Sequence, residues 1–299
     1  MKEAFIDWNP KGESLLRVQQ CNQIIQEYQQ QGLVLTLRQL YYQFVSRDLI
    51  PNNERSYKNL GNLVSKARTA GYLDWSAIED RGRRPDRPSE FSGLTELVDV
   101  AIRSYRLPRW EGQSSYAELW VEKAALAGVL EPMASHFHVT LMVNKGYSSA
   151  SAVYESAKRL ERAFYEGRAV EDVFIFYLGD HDPSGEDMVR DIEERLNLFT
   201  GQSVPITVEK LALTWTQIQQ YNPPPNPTKL SDSRAEAYIE KHGHESWEVD
   251  ALDPATLQQI ITDSFERIID MELMDEIKAK EEKDKERLRK AVEELDEDN

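Results

Sequence analysis

Cysteine is nearly absent from this chain. Cys21 is the only one in 299 residues, which excludes intrachain disulfides and cysteine-based zinc modules. That usage suits a reducing, cytoplasmic compartment. No apolar run approaches the roughly 18 residues of a membrane-spanning helix, and the opening Met-Lys-Glu-Ala-Phe-Ile-Asp-Trp has no signal-peptide core. No membrane partner is therefore expected. Internal repeats and Gly-rich nucleotide motifs are missing as well. Positive charge is also in short supply: 36 Lys and Arg against 52 Asp and Glu give a net charge of −16. Such a balance opposes phosphate binding unless basic residues gather locally. Residues 33–87 hold ten Lys or Arg against six acids, whereas residues 271–299 hold seven against twelve. The acid is partly concentrated in a charged helical tail over 271–299.

A hydrophobic content of 40% suffices for buried cores, and the length accommodates two domains of ordinary size. Val173-Phe-Ile-Phe-Tyr-Leu-Gly-Asp-His-Asp-Pro-Ser-Gly185 carries the most chemical information. Its β-branched and aromatic run predicts a buried parallel strand, and the carboxyl ends of such strands are where open α/β sheets place their chemistry. Asp180 and Asp182 stand at that end, Pro183 and Gly185 turn the chain, and residues 186–196 read as a helix. Two carboxylates so close in sequence can offer hard oxygen ligands to one divalent cation, which suits Mg²⁺. The plainer alternative is a helix-capping Asp beside a turn Asp.

Tyr116-Ala-Glu-Leu-Trp-Val-Glu122 predicts another strand end carrying a carboxylate, followed by a helix over 123–130. Residues 139–143 predict a third strand, followed by the turn Asn144-Lys-Gly-Tyr147 and a helix over 151–164. Residues 204–213 supply one more strand. Alternating strands and helices imply parallel βαβ units, so the strand carboxyl ends share one edge and Glu122 can face Asp180 and Asp182. A Glu at one strand end, Asp-x-Asp-x-x-Gly at another and a Lys-Gly turn between them resemble the Toprim domain of topoisomerases, bacterial primases and related nucleases. The resemblance covers about residues 115–215. It implies that Glu122, Asp180 and Asp182 hold Mg²⁺ for phosphodiester transfer.

Ahead of this region, residues 12–30 predict a helix that breaks at Gln31-Gly32. Thr36 caps a second helix over 37–48, residues 54–69 predict a third, and Tyr72-Leu-Asp-Trp75 starts an extended segment. Helix, turn, basic helix and wing is the order of a winged helix-turn-helix, with Arg55, Lys58, Lys66 and Arg68 as phosphate contacts on DNA. A generic helical domain with a solvated basic face is the alternative. The Pro- and Arg-rich residues 79–88 read as a wing or linker. On the 37–48 helix, Leu37, Leu40, Tyr41, Phe44 and Val45 form the apolar stripe, which assigns Tyr41 to packing. Tyr42 is turned about 100° away, beside Arg38. It reads as an exposed tyrosine whose phenolate the guanidinium favours, with Arg38 also placed to hold a phosphate under attack.

Thr-x-Arg-x-x-Tyr-Tyr on a winged-helix segment that precedes a Toprim segment resembles the A subunit of topoisomerase VI and the related meiotic break-forming transesterase. The similarity runs from about residue 30 to 270. Leu141-Met-Val-Asn-Lys-Gly-Tyr147 looks like that family's segment between its acidic motifs, and Lys145 within it counts among the expected DNA contacts. The resemblance implies an α/β fold with a winged helix-turn-helix domain over 1–90 and a Toprim domain with a mostly parallel sheet over 91–270. It also implies that the second tyrosine of the pair, Tyr42, is the nucleophile. Double-stranded DNA is then the substrate, Mg²⁺ the cofactor and a homodimer the working unit, each Tyr meeting the metal site of the other protomer. A separate ATPase subunit is a possible partner, since this chain has no nucleotide motif. Pro-Ser-Gly after Asp182 departs from the family's usual aromatic-containing turn.

Two other functions stay open. One is a metal-dependent Toprim nuclease that uses water, with Tyr42 merely structural. The other is a non-catalytic DNA-binding accessory protein. Toward the carboxyl end, 222–228 reads as a Pro-rich spacer and 255–271 as a helix. Glu248 and Asp250 read as local polar contacts. Neither His136 with His138 nor His242 with His244 reads as a zinc site in a chain with one cysteine.

Overall fold

The computed structural model describes residues 2–79, 90–144, 146–166 and 170–297. The amino-terminal part is helical. Helix α1 (Glu13–Gln29) is followed by a short strand β1 (Leu35–Thr36), which runs directly into α2 (Leu37–Ser46). A capping box fixes that start: the Gln39 amide donates to Thr36 Oγ1 at 3.2 Å, and Gln39 Oε1 accepts from the Thr36 amide at 2.8 Å. Helix α3 (Glu54–Thr69) begins after Asn53, whose side chain accepts from the Ser56 amide at 2.8 Å. Ile24 and Tyr28 of α1, Leu40 and Phe44 of α2, and Leu60 and Val64 of α3 share one core. The extended segment expected from Tyr72 is shorter than the sequence implies. Asp74 accepts from the Ser76 amide at 2.8 Å and turns Trp75–Ala77 into a 3₁₀ turn, leaving only β2 (Ile78–Glu79), which pairs in parallel with β1. Most of the expected wing or linker, residues 80–89, lies outside the described residues.

After α4 (Leu94–Ser104) come β3 (Ser115–Val121), α5 (Ala127–Phe137), β4 (Leu141–Val143), α6 (Ala150–Glu166), β5 (Asp172–Leu178), α7 (Pro183–Phe199) and β6 (Ile206–Ala212). The four longer-range strands β3 to β6 form one all-parallel sheet in the order β4-β3-β5-β6. Alternate side chains along each strand point to opposite faces. Leu119, Val121, Phe176 and Leu178 pack with Leu130 and Phe137 of α5 on one face. Trp120, Ile175 and Tyr177 pack with Val153 and Leu160 of α6 and Met188 and Ile192 of α7 on the other. Both faces are covered, which is why these strands read as continuous apolar runs rather than alternating ones.

One charge is built into the second face. Glu118 of β3 is fully buried and accepts from Arg159 Nε and Nη2 at 2.7 and 2.8 Å, and from Trp120 Nε1 at 2.9 Å. Arg159→Leu would strand that carboxylate, so a stability loss of about 3–5 kcal/mol is expected in urea denaturation. A loss below about 1 kcal/mol would show that the pair contributes no more than a surface ion pair does.

The chain then forms α8 (Trp215–Tyr221), the antiparallel pair β7 (Asn226–Pro227) and β8 (Glu245–Ser246) around α9 (Ala235–His242), and a 3₁₀ turn at Val249–Ala251. It ends in α10 (Pro254–Glu266) and α11 (Met271–Glu297). The single helix expected over 255–271 ends at Glu266, and the chain becomes helical again only after Asp270. Gln113 clamps that residue from outside, donating to its carbonyl at 2.9 Å and accepting from its amide at 2.8 Å. The acidic tail is also anchored. Glu281 of α11 is buried and accepts from the Leu107 amide at 3.0 Å, Arg109 at 3.2 Å and Lys285 at 2.7 Å. Among the described residues no helix is long and apolar enough to cross a membrane.

Candidate active site at the carboxyl edge of the sheet

From β3 the chain moves outward to β4, and from β5 it moves the opposite way to β6, so the order β4-β3-β5-β6 reverses direction between β3 and β5. The crevice at such a reversal, outside the strand carboxyl ends, is where open α/β sheets bind ligands. Glu122 follows β3 there, and Asp180 follows β5. The Glu122 amide continues the ladder to Leu178 O at 2.9 Å, while its Oε2 accepts from the Asp180 amide at 3.1 Å. Asp180 is 7% exposed; its Oδ1 accepts from the Val249 amide at 2.9 Å and its Oδ2 lies 2.9 Å from Lys123 Nζ. Asp182 caps α7 by accepting from the Gly185 amide at 2.7 Å, with Pro183 at the first helical position. Gly185 is required by close approach, since a Cβ there would lie 2.2 Å from the Asp180 carbonyl oxygen.

The capping alternative for Asp182 is thus correct, but a capping carboxylate spends one oxygen and keeps another. Electrostatics shows that these three acids crowd each other. Burial raises the Glu122 carboxyl above its ordinary range, and the Asp182 charge adds to the rise. Burial pushes Asp180 from 3.8 up to about 7; Lys123 opposes that rise and Glu122 reinforces it. The buried oxygens of Glu122 and Asp180, both raised, are of the hard type that suits a divalent cation. Glu122, Asp180 and Asp182 are the residues that the resemblance implies for Mg²⁺.

The Asp180 shift carries a sign. An acid whose folded pKa is raised contributes stability below its unfolded pKa and loses it as pH climbs through the folded value. In EDTA, the thermal midpoint of the native protein should therefore fall relative to Asp180→Asn as pH rises from 3.8 toward about 7, and the difference should level off above that. Parallel melting profiles for the two proteins would contradict the raised pKa.

Glu248 and Asp250, expected to be only local polar contacts, complete the site together with Lys123. Lys123 Nζ reaches Glu248 Oε2 at 2.7 Å and Asp250 Oδ1 at 3.1 Å in addition to Asp180. Arg38 reaches the same two acids from α2, Nη2 donating to Glu248 Oε1 at 2.5 Å and Nε lying 3.3 Å from Asp250 Oδ2. Burial works against Glu248 ionising, but Lys123 and Arg38 outweigh it and hold the carboxyl at about 2. Asp250, whose side chain is fully buried, is instead raised by that burial. Lys210 Nζ closes the other side, donating to Asp180 O at 2.8 Å and Glu186 Oε1 at 2.6 Å. The only sequence signal for this network is Lys123 directly after Glu122. Its partners Glu248 and Asp250 lie more than a hundred residues away.

The tyrosine pair departs from expectation. Tyr41 and Tyr42 are both buried, at 5% and 3% exposure, so the exposed Tyr42 expected from the helical phase is not found. Its phenol accepts from Asn226 Nδ2 at 3.4 Å, and the Arg38 guanidinium carbon lies 6.0 Å from its ring centre. Burial, then the charges of Asp250 and Glu248, raise the phenol above its ordinary value of 10 despite Arg38. The phenolate is disfavoured in this arrangement, first by burial and then by the two carboxylates, which outweigh Arg38. Tyr41 donates to Asn52 Oδ1 at 2.8 Å. Both tyrosines, with Arg38, Asn52, Lys58 and Asn226, line an open cleft of about 380 Å³.

Arg55, Lys58 and Lys66 are exposed on α3, on the side away from its buried Leu60, Val64 and Ala67. Lys58 pairs with Glu54 at 2.7 Å, and Lys66 Nζ sits 5.1 Å from the centre of the Trp8 ring. Arg68 is tied inward, donating to Trp75 O at 2.6 Å and stacking on that indole. Lys145 lies outside the described residues. The structure therefore gathers Glu122, Asp180 and Asp182 at one edge and Arg38 with Tyr42 beside it. Lys123, Glu248 and Asp250 stand between the two groups. Comparison with protein-family models finds no match for this chain. Comparison with curated proteins finds none either.

Proposed function

We propose that this chain is a DNA-cleaving transesterase similar to the A subunit of type IIB topoisomerases, with Tyr42 as nucleophile. In this reading residues 1–90 act as a winged-helix DNA-binding domain and the parallel sheet acts as a Toprim domain. One observation carries the proposal. Glu122 and Asp180 meet at the switch point of a parallel sheet with Asp182 two residues beyond, and the helix bearing Arg38 and Tyr42 is docked next to them through Glu248 and Asp250. Mg²⁺ held by the three acids would offset charge on the phosphate oxygens.

The chain's own residues do the rest. The Tyr42 oxygen attacks phosphorus and loses its proton, an O–P bond to Tyr42 forms, and a deoxyribose oxygen leaves and takes up a proton. Attack requires access to a ring that is 3% exposed. Separation of α2 from residues 248–250 provides that access and releases Arg38 from Glu248 and Asp250, freeing its guanidinium for the phosphate. The same separation would let Tyr42 meet the carboxylates of a second protomer in a homodimer. Exposed Arg55, Lys58 and Lys66 on α3 supply the backbone contacts to duplex DNA.

The buried, poorly ionised phenol favours a second reading, a nuclease that activates water at the same carboxylates. Incubation with supercoiled plasmid separates the two. The transesterase yields Mg²⁺-dependent breaks whose ends stay with protein until protease is added, and EDTA suppresses them. Breaks with protein-free ends support the nuclease.

A further inference from the structure

We propose that His181, Glu186 and His242 form a second metal site, built for a borderline-soft divalent ion such as Zn²⁺ and separate from the carboxylates that would hold Mg²⁺. One ligating atom from each of the three lies within 4.8 Å of the others. His181 stands between Asp180 and Asp182 in sequence, but its ring turns away from them. A backbone bridge holds it, the His181 amide donating to Trp247 O at 2.8 Å and the Trp247 amide to His181 O at 2.9 Å. The Tyr238 hydroxyl has a single proton and donates it to His181 O at 2.8 Å. Its 2.7 Å contact with His181 Nδ1 therefore needs the proton of that nitrogen. Neutral His181 is then left with a bare lone pair on Nε2, which faces Glu186 Oε1 at 3.8 Å. Glu186 Oε1 is at present satisfied by the Lys210 ammonium at 2.6 Å, and a divalent ion would replace that cation between the two acceptors.

His242 supplies the second nitrogen. Its Nδ1 is buried and makes no hydrogen bond, a costly state for a ring that otherwise packs 5.0 Å from Trp215, 4.9 Å from Tyr238 and 4.7 Å from His181. Two imidazoles and one carboxylate favour Zn²⁺, Co²⁺ or Ni²⁺ over Mg²⁺, which prefers oxygen donors and retains its waters. The Tyr238 contact to His181 is the outer-shell partner that orients a metal-binding imidazole. Zn–N distances near 2 Å require the ligating atoms to draw together by about 1 Å. Glu186 can make that move, since its side chain is 41% exposed and Lys210, its present partner, keeps a second bond to Asp180 O at 2.8 Å. A cavity of about 250 Å³ lined by Glu186, Tyr238, Lys241 and His242 gives solvent access. The ion would clamp the end of α9 to the first turn of α7, and through His181 it would stiffen the Asp180–Asp182 turn.

The test uses full-length protein stripped with EDTA and titrated with Co²⁺, read by its visible d–d bands. One equivalent of Co²⁺ should bind in a four- or five-coordinate nitrogen–oxygen site, be displaced by equimolar Zn²⁺ and resist excess Mg²⁺. His242→Ala and Glu186→Gln should each weaken binding by more than the roughly 10–100-fold that loss of an outer-shell partner costs. Glu186→Gln alters only an exposed side chain, so its folding is secure. A paired His136→Ala, His138→Ala variant and an Asp182→Asn variant should both bind Co²⁺ as the native protein does. Absence of stoichiometric binding, an unchanged spectrum in His242→Ala and Glu186→Gln, or loss of binding in Asp182→Asn would each overturn the site. None of these readouts depends on DNA cleavage.

Discussion

Tyr42→Phe is expected to fold, to bind DNA and to form no covalent protein–DNA adduct. The substitution removes one hydroxyl whose contact, Asn226 at 3.4 Å, is long, so a stability change of about 1 kcal/mol or less is expected. The chemistry, by contrast, loses its attacking oxygen, and adduct formation should fall below detection. Tyr41→Phe gives up a shorter hydrogen bond, 2.8 Å to Asn52, and should cost a similar amount of stability while leaving cleavage near normal. The pair is informative because both rings are buried to nearly the same degree and both border the same cleft. If Tyr41→Phe is inactive and Tyr42→Phe cleaves, the nucleophile is wrongly assigned. If both cleave with protein-free ends, water is the nucleophile.

A large, pH-dependent stability effect is expected at Lys123. Its ammonium lies 2.9 Å from Asp180, 2.7 Å from Glu248 and 3.1 Å from Asp250, so Lys123→Met removes a charge shared by three buried or half-buried carboxylates, of which Glu248 and Asp250 keep Arg38. Removing one partner from a buried ionic cluster costs about 3–5 kcal/mol. The loss should depend on pH. Asp180, with its carboxyl at about 7, and Asp250, also raised, are both protonated in acid and then need no counter-charge. Glu248 behaves oppositely, since its depressed carboxyl gives native-state stability above 4.5 that disappears as pH falls toward about 2. Chemical denaturation of Lys123→Met should therefore show its greatest deficit near pH 8 and a smaller one near pH 5. A deficit independent of pH would mean that Lys123 acts through packing of its aliphatic stem rather than through charge.

What could be read in the sequence followed from local rules. The strand at 172–178 was legible because a parallel strand covered on both faces must be apolar throughout, and its exit is marked by Pro183 and Gly185. Helix α3 was legible to its end residues because Asn53 caps it and Ala70-Gly71 stops it. Glu122 was expected to face Asp180 and Asp182 because parallel strands share one edge, and its carboxylate accepts from the Asp180 amide at 3.1 Å. The misses come from contacts between distant residues. The apolar stripe of α2 correctly buried Tyr41, but only Asn226, Glu248 and Asp250, far along the chain, determine that Tyr42 is buried too. Glu248 and Asp250 looked incidental for the same reason. The approach of His181 to His242 is another contact between distant residues, with nothing in the local sequence of either to mark it. Residues 72–75 failed through turn chemistry, with Asp74 setting a 3₁₀ turn where the apolar pattern suggested a strand.

The most direct measurement of the proposed chemistry is mass spectrometry of the protein after reaction with duplex DNA and Mg²⁺, followed by nuclease and protease digestion. A nucleotide-modified peptide spanning α2, with the added mass localised to Tyr42 and absent from Glu122→Gln protein, is the predicted result. Cleaved DNA accompanied by unmodified α2 peptide, or by modification at Tyr41 instead, would contradict it.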